Sequence, residues 1–285
     1  MTGRLPDGLP PLKAVIAEYG LAARRALGQH FLLDPAITAR IAAAAGDLDD
    51  RTVIEIGPGP GGLTRALLAA GAASVVAIER DDRCVAALED LSVRAAGRLI
   101  VVAADAIAAN EVALARSAGR TSPLTVVANL PYNIATVLIL KWLAHPSDYT
   151  EIVVMVQKEV AARLAAPPSS AHYGRLSVMV QWRAEVATLF DLAPGAFTPP
   201  PKVVSTVVRI TPRPIPLCPA NATAMEKVVR AAFGQRRKML RSALNVLGRN
   251  SGDLLSAAGI APTKRAEELS VEDFCRLARA YASET

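Results

Sequence analysis

Several residues able to bind or activate a ligand stand at the ends of apolar runs that have the composition of buried strands. Gly57-Pro-Gly-Pro-Gly-Gly62 follows the run at residues 53–56 and precedes a helical stretch. Glycine permits a positive φ and lets a ligand approach the backbone closely, which makes Gly57 and Gly59 candidates for cofactor contact. Glu79 ends the next run, and a carboxylate there can accept both hydroxyls of an adenosine ribose. The pattern predicts a nucleoside cofactor.

The glycine loop by itself leaves the cofactor undecided. Gly57-x-Gly59-x-x-Gly62 fits the dinucleotide fingerprint, and it also fits the loop of S-adenosylmethionine enzymes. A strand-turn-helix connection without a ligand is the structural alternative. Asp105 follows the third run, where it could cap the next turn or accept the exocyclic amine of the cofactor's adenine. Because Gly57 and Glu79 follow the two preceding runs, we interpret Asp105 as a ligand-binding residue.

The fourth run ends in Asn129-Leu-Pro-Tyr132, whose groups suit methylation of the exocyclic amine of an adenine. The lone pair of that amine is delocalised into the ring, so the nitrogen is a poor nucleophile. Oxygen acceptors on the Asn129 side chain and the Leu130 backbone favour a tetrahedral nitrogen, and these bonds strengthen in the transition state. Pro131 adds no competing N–H, and the Tyr132 ring offers a face for stacking a flipped base. An Asn-Pro turn without a catalytic role is the alternative.

The order of strand-like and helix-like segments predicts an open α/β sheet followed by a small helical domain. Five buried parallel strands are expected at residues 53–56, 74–78, 99–102, 124–127 and 152–155, and two further strands at 185–192 and 203–210. Helices are expected at 63–70, 82–96, 110–117 and 135–144, and then at 224–233, 238–247, 252–258 and 271–282. The alternating prolines at residues 211–216 favour an extended spacer, so we place the domain boundary there.

The composition is that of a folded protein with a substantial core, since 52% of the 285 residues are hydrophobic and 20% are charged. The net charge of +6 permits a polyanionic partner without establishing one. Three scattered cysteines without a CxxC pair lead us to expect neither a disulfide framework nor a cysteine zinc site, and a cytoplasmic location. We also expect no metal, because no metal-ligand spacing surrounds the histidines. The uncharged run at 121–140 is broken by prolines and asparagines, so we expect no membrane span.

The segment from Lys227 to Arg249 contains seven basic residues and no acidic one. Apolar residues recur within it at helical spacing, so a packed face and a cationic face are separable. We interpret the cationic face as a contact for RNA phosphates, with a solvated basic surface as the alternative. Phe197, ahead of three prolines, is a candidate for stacking the flipped base opposite Tyr132, or else an anchor of its loop. The RNA-binding candidates are therefore Phe197, Arg230, Arg236, Arg237, Lys238 and Arg241.

Seven motifs occur together along the chain and make a far more specific signal than any one of them. They are Leu27-Gly-Gln-His-Phe-Leu32, Glu55-Ile-Gly-Pro-Gly59, Asn129-Leu-Pro-Tyr-Asn133, Gln157-Lys-Glu159, Tyr173-Gly-Arg-Leu-Ser177, Phe197-Thr-Pro-Pro-Pro-Lys202 and Phe233-Gly-Gln-Arg-Arg-Lys238. Over residues 20–285 the sequence resembles the bacterial small-subunit ribosomal RNA adenine dimethyltransferases, the kasugamycin-sensitivity family.

The resemblance implies a fold, a donor and a substrate. It implies a Rossmann-like, seven-stranded class I methyltransferase sheet at residues 27–211, after an N-terminal extension at 1–26, with a small all-helical RNA-binding domain at 212–285. The donor implied is S-adenosylmethionine. The reaction implied is N6,N6-dimethylation of two adjacent adenosines in the 3′-terminal hairpin of 16S ribosomal RNA, during late assembly of the small subunit. We expect a monomer.

The resemblance also assigns roles to individual residues. Gly57 is expected at the methionine part of the donor, Glu79 at its ribose and Asp105 at its adenine, with Asn129 between donor and target amine. The residues that match His30 and Leu32 contact the donor in the family, although the family usually has Asn where this chain has His30. Three alternatives stay open. They are a large-subunit (23S) adenine methylase of the antibiotic-resistance type, a nicotinamide-dependent oxidoreductase, and a non-catalytic ribosome assembly factor.

Overall fold

A computed structural model describes residues 8–23, 28–120 and 123–283 of the chain. The described residues form two compact units. The first unit contains the residues up to Ala161 together with Ala187–Pro212, and the second contains Ala162–Val186 and the residues from Arg213 onward. Each unit has its own apolar core.

A seven-stranded sheet organises the first unit. Its strands are β2 (Thr52–Ile56), β3 (Ser74–Glu79), β4 (Leu99–Ala103), β5 (Leu124–Asn129), β6 (Tyr149–Gln157), β7 (Ala184–Leu192) and β9 (Ser205–Pro212). Their spatial order is β4-β3-β2-β5-β6-β9-β7. Strands β2 to β6 pair in parallel, and β9 runs antiparallel to β6. All five residues of β2 and all six of β3 are buried, as expected for central strands covered on both faces. The predicted α/β sheet of seven strands is confirmed.

A second, two-stranded sheet pairs β1 (Phe31–Leu32) with β8 (Phe197–Thr198) in antiparallel orientation. These strands are too short for a hydrophobic pattern to predict them. They join the N-terminal motif to the loop that carries the three consecutive prolines. This pairing places residues around position 30 next to the ends of the parallel strands.

Helices connect the strands and make up most of the second unit. The helices that start in the first unit are α1 (Leu12–Glu18), α2 (Pro35–Ala43), α3 (Gly62–Ala69), α4 (Asp82–Arg94), α5 (Glu111–Ser117), α6 (Ala135–Trp142) and α7 (Lys158–Ala165). The second unit contains α8 (Arg175–Arg183), α9 (Ala222–Gly234), α10 (Leu240–Ala243), α11 (Ser251–Ala257) and α12 (Val271–Ser283). None of the helices within the described residues is long and apolar enough to cross a bilayer.

The helical predictions are partly wrong. Helices α1, α2, α7 and α8 were not predicted, although Asp34 caps α2 with its side chain and Pro35 follows at the first helical position. The single helix predicted at 238–247 is two short pieces, α10 and a 3-10 helix at Leu244–Leu247. The second piece ends at Gly248, whose φ of 71° lies in the left-handed region that terminates helices.

The predicted domain limits also need correction. Pro212 does end the first unit, but residues 162–186 belong to the second unit rather than to the sheet domain. Tyr173, Val178 and Trp182 from this segment are buried in the same core as Phe274. A single boundary in the sequence could not predict this division, because the second unit is built from two separate stretches of the chain. The described part of the predicted N-terminal extension packs in the first unit, where Val15 and Leu21 contact Cys84 and Ala87.

The expectation of no disulfide is wrong for this structure, in which Cys218 and Cys275 are bonded. The indole N–H of Trp182 donates to the Cys218 carbonyl at 2.9 Å, and Leu217 donates its backbone N–H to the Trp182 carbonyl at 2.8 Å. These bonds fold the linker back onto the helical unit, where Cys275 is buried on α12. The pair is separated by 57 positions, so no motif spacing could reveal it.

Candidate active site

One cavity opens at the carboxyl ends of β2, β3, β4 and β5. Because these strands are parallel, the residues that follow them meet at one edge of the sheet. The cavity is lined by every residue predicted from the sequence to bind the cofactor or to act in catalysis, namely His30, Leu32, Gly57, Gly59, Glu79, Asp105, Asn129, Leu130 and Tyr132. No cluster of three or more potential metal ligands lies in the described ranges.

The glycine loop between β2 and α3 requires glycine at its key positions. Gly57 and Gly59 have φ values of 64° and 56°, and Gly61, which precedes α3 at the N-cap position, has 87°. A Cβ at Gly59 would lie 3.0 Å from the ring of Phe31, so a side chain there would also collide with its neighbour. The loop therefore leaves a bare backbone wall facing the cavity, as a bound nucleoside requires.

Glu79 is buried and braces the glycine loop. Its Oε2 accepts the backbone N–H of Gly59 at 3.1 Å, and its Oε1 accepts those of Arg80 and Asp81 at 2.8 and 2.9 Å. A carboxylate oxygen can accept two hydrogen bonds. With one bond formed, Oε2 keeps the capacity to accept a hydroxyl from a ligand in the cavity.

Asp105 uses one carboxylate oxygen to cap the turn after β4. Its Oδ1 accepts the backbone N–H of Ile107 at 2.9 Å and so closes the turn after β4. Its Oδ2 has one long contact, 3.5 Å, to the exposed guanidinium of Arg80. The turn-capping role therefore occupies one oxygen and leaves the other for a ligand.

Asn129 has a fixed side-chain orientation. Its Nδ2 donates to the backbone carbonyl of His30 at 3.1 Å. Since the nitrogen is the donor, the Oδ1 atom of the amide is an acceptor at the edge of the cavity. Leu130 follows with a buried side chain and donates its N–H to the Met155 carbonyl at 3.3 Å. The turn thus has the acceptor that the amine chemistry requires.

Tyr132 is half-buried and held at its hydroxyl. The phenol oxygen lies 2.7 Å from Oγ of the buried Ser205, and the ring stacks with that of His30 at a centroid distance of 5.7 Å. Burial raises the pKa of Tyr132, and the bond to Ser205 only partly offsets this. The phenol is therefore neutral at physiological pH and cannot serve as an anionic base.

Phe197 does not have the position expected for a base-stacking residue. Its side chain is 3% exposed and lies in the core of the first unit, paired with Leu32 across the two-stranded sheet. The ring has no free face for a nucleobase in this structure. The contacts of Phe197 are those of an anchor for the proline-rich loop, which was the alternative considered from the sequence.

Glu55 received no role from the sequence, although it lies within a quoted motif. It is 1% exposed, accepts the Thr64 hydroxyl at 2.6 Å, and lines the cavity. Burial, and less strongly the nearby charge of Glu79, raises the pKa of Glu55 to about 8, against the opposing bond from Thr64. The signal in the sequence was an acidic residue inside an otherwise apolar buried strand.

Comparison with known proteins identifies the chain. Residues 20–283 match the model of the family described as ribosomal RNA adenine dimethylase. The chain belongs to this family. It is accordingly an S-adenosylmethionine-dependent ribosomal RNA adenine methyltransferase, and the nicotinamide alternative for its glycine loop is excluded.

Relatives and solved structures agree with this membership. The chain is 58% identical to the ribosomal RNA small subunit methyltransferase A of Rhodospirillum rubrum, over 96% of this chain and 93% of the relative. It is 57% identical to the protein of the same name from Paramagnetospirillum magneticum, over 97% of this chain and 96% of the relative. A dimethyladenosine transferase from Plasmodium falciparum superposes with a TM-score of 0.73 at 25% identity, covering 90% of this chain and 98% of that one. The 23S rRNA methyltransferase ErmE superposes with a TM-score of 0.65 at 27% identity, covering 88% of this chain and 99% of that one.

The basic segment of this family member divides into paired and unpaired cations. Arg230 forms an ion pair with Glu226, and Arg236 binds Glu267 at 2.9 Å and the Ala171 carbonyl at 3.0 Å. The other three candidates are exposed, and their side chains have no partner within the described ranges; they are Arg237, Lys238 and Arg241.

Two further cations join this surface that the sequence analysis missed. Met239 forms a β-bridge with Arg265, and Leu240 donates its N–H to the Lys264 carbonyl at 2.8 Å. The bridge brings Lys264 and Arg265 beside the basic segment from a distant part of the sequence. Only the tertiary pairing reveals them, since they lie among acidic neighbours in the chain.

Proposed function

We propose that this enzyme dimethylates N6 of two adjacent adenosines in the 3′-terminal hairpin of 16S ribosomal RNA, within a late precursor of the small subunit. The observation that carries the proposal is the fixed amide of Asn129, whose oxygen borders the same cavity as the glycine loop and Glu79. Relatives that cover nearly the whole chain are named as small-subunit enzymes, which supports the small subunit over the large one.

The cavity fits S-adenosylmethionine, which supplies the methyl group and departs as neutral S-adenosylhomocysteine. The bare backbone at Gly57 and Gly59, both with positive φ, suits close approach of the methionine part of the donor. The remaining acceptor capacity of Glu79 suits a ribose hydroxyl, and Oδ2 of Asp105 suits the amine of the donor's adenine. Leu32, buried behind the loop, forms part of the wall.

In this proposal Asn129 and Leu130 activate the target amine. Oδ1 of Asn129 and the Leu130 carbonyl accept its two N–H bonds, which concentrates the lone pair on the nitrogen. These bonds strengthen as the nitrogen becomes positively charged, so they stabilise the transition state more than the ground state. No strong base is needed, because the proton of the methylated amine can leave to water afterwards. Tyr132 stacks the base after it leaves its helix.

The cations of the second unit are proposed to hold the RNA. Lys and Arg side chains bind phosphates through electrostatic attraction that does not depend on sequence. The cations without an acidic partner are better candidates for this contact than the two arginines engaged with glutamates. We therefore assign RNA binding to Arg237, Lys238, Arg241, Lys264 and Arg265, and a supporting role to Arg230 and Arg236.

Replacing Asn129 with Ala tests the catalytic assignment. We expect methyl transfer to fall by two or more orders of magnitude, on the order of the loss when one preorganised donor or acceptor is removed. Binding of S-adenosylhomocysteine, measured by calorimetry, should change little, because Asp105 and Glu79 remain. Asn245→Ala, at an exposed asparagine of the second unit, is the matched control. Unchanged turnover in Asn129→Ala would exclude the assigned role.

The substrate is tested with labelled donor and purified ribosomal subunits from cells that lack this protein. We expect label in small-subunit RNA, at two adjacent adenosines of the 3′-terminal hairpin by mass spectrometry. Label confined to large-subunit RNA would contradict the proposal. If Asn129→Ala still supports subunit maturation in such cells, binding during assembly is a duty separate from catalysis.

A further inference from the structure

Asp81 and Arg83 form an ion pair at the start of α4, and neither of these two described residues lines the cavity. Nε of Arg83 donates to Oδ1 of Asp81 at 3.0 Å, and Nη2 donates to Oδ2 at 2.7 Å, so the pair is bidentate. Asp81 is 4% exposed. The side chain of Arg83, and less strongly that of Gln29, lowers the pKa of Asp81 to about 2 against the opposing effect of burial. The carboxylate is therefore charged at physiological pH.

The pair holds the N-terminal part of the chain at two points. Nη1 of Arg83 donates to the Gly20 carbonyl at 2.7 Å, and Nη2 lies 3.4 Å from the Ala22 carbonyl. On the other side of the pair, Nε2 of Gln29 donates to Oδ2 of Asp81 at 3.0 Å. Gly20 and Ala22 precede residues 24–27, which lie outside the described ranges, and Gln29 follows them. One ion pair therefore binds the chain on both sides of those residues.

Gln29 is adjacent to the residue that orients the catalytic amide. It lines the cavity, and the carbonyl of the next residue, His30, accepts the Nδ2 hydrogen of Asn129. Asp81 is itself fixed to the site, because its backbone N–H donates to Oε1 of Glu79 at 2.9 Å. A displacement of Gln29 would therefore move the carbonyl that sets the direction of Asn129.

Helix capping alone does not account for the contacts of Asp81. The cap uses Oδ1, which accepts the backbone N–H of Arg83 at 3.3 Å. Oδ2 takes no part in the cap, and it accepts hydrogen bonds from Gln29 and from Nη2 of Arg83. The second oxygen thus links α4 to the N-terminal wall of the cavity.

We infer that Asp81 and Arg83 are positioning residues for methyl transfer, which act through Gln29 and the His30 carbonyl on the orientation of Asn129. The inference rests on the proposed function, because it takes the Asn129 amide as the group that activates the target amine. A misplacement of about 1 Å at a reacting centre can lower the rate about a hundred-fold. An ion pair outside the cavity can therefore affect the chemical step.

Asp81→Asn separates the cap of α4 from the link to Gln29. Asn caps helices about as well as Asp, so Oδ1 keeps its bond, but an NH2 group replaces Oδ2 and faces N–H groups of Gln29 and Arg83. Gln29→Met breaks the same bond from the other side with a residue of similar length. The double variant completes a thermodynamic cycle. Asp34→Asn, the same substitution at the exposed N-cap of α2, is the matched control.

We expect kcat for undermethylated small subunits at saturating donor to fall about ten-fold in Asp81→Asn and in Gln29→Met, within the range for a displaced catalytic group. The double variant should lie within about two-fold of the slower single variant, because both changes break one bond. Arg83→Met should also lower kcat, and Asp34→Asn should not. Calorimetry with S-adenosylhomocysteine shows that each variant is folded, and binding should weaken several-fold where Gln29 is released.

Three results would overturn the inference. Unchanged kcat in Asp81→Asn would reduce that residue to a helix cap, and unchanged kcat in Arg83→Met would reduce the ion pair to a structural role. Losses that add to about a hundred-fold in the double variant would show that Asp81 and Gln29 act independently. Failure of the parent enzyme to methylate small subunits would instead refute the proposed function, so the two failures are distinguishable.

Discussion

Glu55 is a carboxyl group enclosed by apolar strands, beneath the glycine loop proposed to bind the donor. Burial favours the neutral form, and its pKa of about 8 keeps most of the molecules protonated at neutral pH. In the unfolded chain the same group has an ordinary pKa near 4.5. Between these values the folded protein retains a proton that the unfolded chain releases, so rising pH favours unfolding.

Replacing Glu55 with Gln should therefore increase stability relative to the parent, by an amount that grows as pH rises from about 5 to 8. Below the lower pKa both states of the parent are protonated, so the advantage of the neutral variant disappears. Urea unfolding of the ligand-free proteins at several pH values measures this. Glu89→Gln, at an exposed glutamate on α4, is the control and should show no such trend. A pH-independent difference would contradict the assignment of the titration to Glu55.

The sequence predicted that the residues proposed to bind the donor meet in one cavity, because each stands at the end of a strand. Gly57, Glu79 and Asp105 each follow a strand that the pattern of apolar residues reveals, and parallel topology then brings them together. The environment of Phe197 was not predictable, because its burial comes from pairing with β1. The same holds for His30, whose ring contacts depend on loops that are distant in sequence.

At the level of elements, Lys141 on α6 holds the loop between β4 and α5. Its Nζ donates to the carbonyls of Ala106 and Ala109 and to Oε1 of the buried Glu111, at 2.9, 2.5 and 2.9 Å. The indole of Trp142 donates to the same carboxylate oxygen at 3.0 Å. This network fixes the loop that carries Asp105, so we propose that Lys141 positions the residue assigned to the donor's adenine.

Lys141→Met should weaken S-adenosylhomocysteine binding several-fold while kcat at saturating donor changes little, because the loop contacts the donor and not the target amine. The variant also leaves the buried Glu111 without its cation, which lowers stability. The double variant Lys141→Met with Glu111→Gln removes that charge. We expect it to regain melting temperature but not donor affinity, measured by scanning calorimetry and titration. Full recovery of both would reduce Lys141 to a structural role.

Helices and strands with a clear periodic pattern of apolar residues were predicted. Elements that depend on tertiary contacts were not. The buried strands and α9 and α12 have clear patterns, and the structure contains them within a few residues. Helices α7 and α8 were not predicted. Trp182 of α8 is 2% exposed in the second core, most of whose residues come from a distant part of the chain.

At the scale of the whole molecule, the net charge differs between the sheet region and the C-terminal stretch. The sheet region is close to neutral, while the excess of basic residues falls in the C-terminal stretch. Within that stretch the ion pairs formed by Arg230 and Arg236 neutralise part of the excess locally. The cations that remain unpaired form the surface proposed to bind RNA.

Arg237→Ala should weaken binding to the 3′-terminal hairpin RNA and reduce the slope of log K against log salt by about one, because one phosphate contact is lost. Arg230→Ala is the matched control: it removes the same charge, but from a side chain already paired with Glu226. Its effect should be clearly smaller. Fluorescence anisotropy over a series of salt concentrations measures both, and equal effects would contradict the division of the basic segment.

The two-stranded sheet of Phe31–Leu32 and Phe197–Thr198 sets a condition on biosynthesis. The strand Phe31–Leu32 is translated well before its partner Phe197–Thr198. Position 30 therefore reaches its place beside Asn129 only once Thr198 has emerged from the translating ribosome. The site therefore stays incomplete until the sheet region has been translated almost to its end at Pro212.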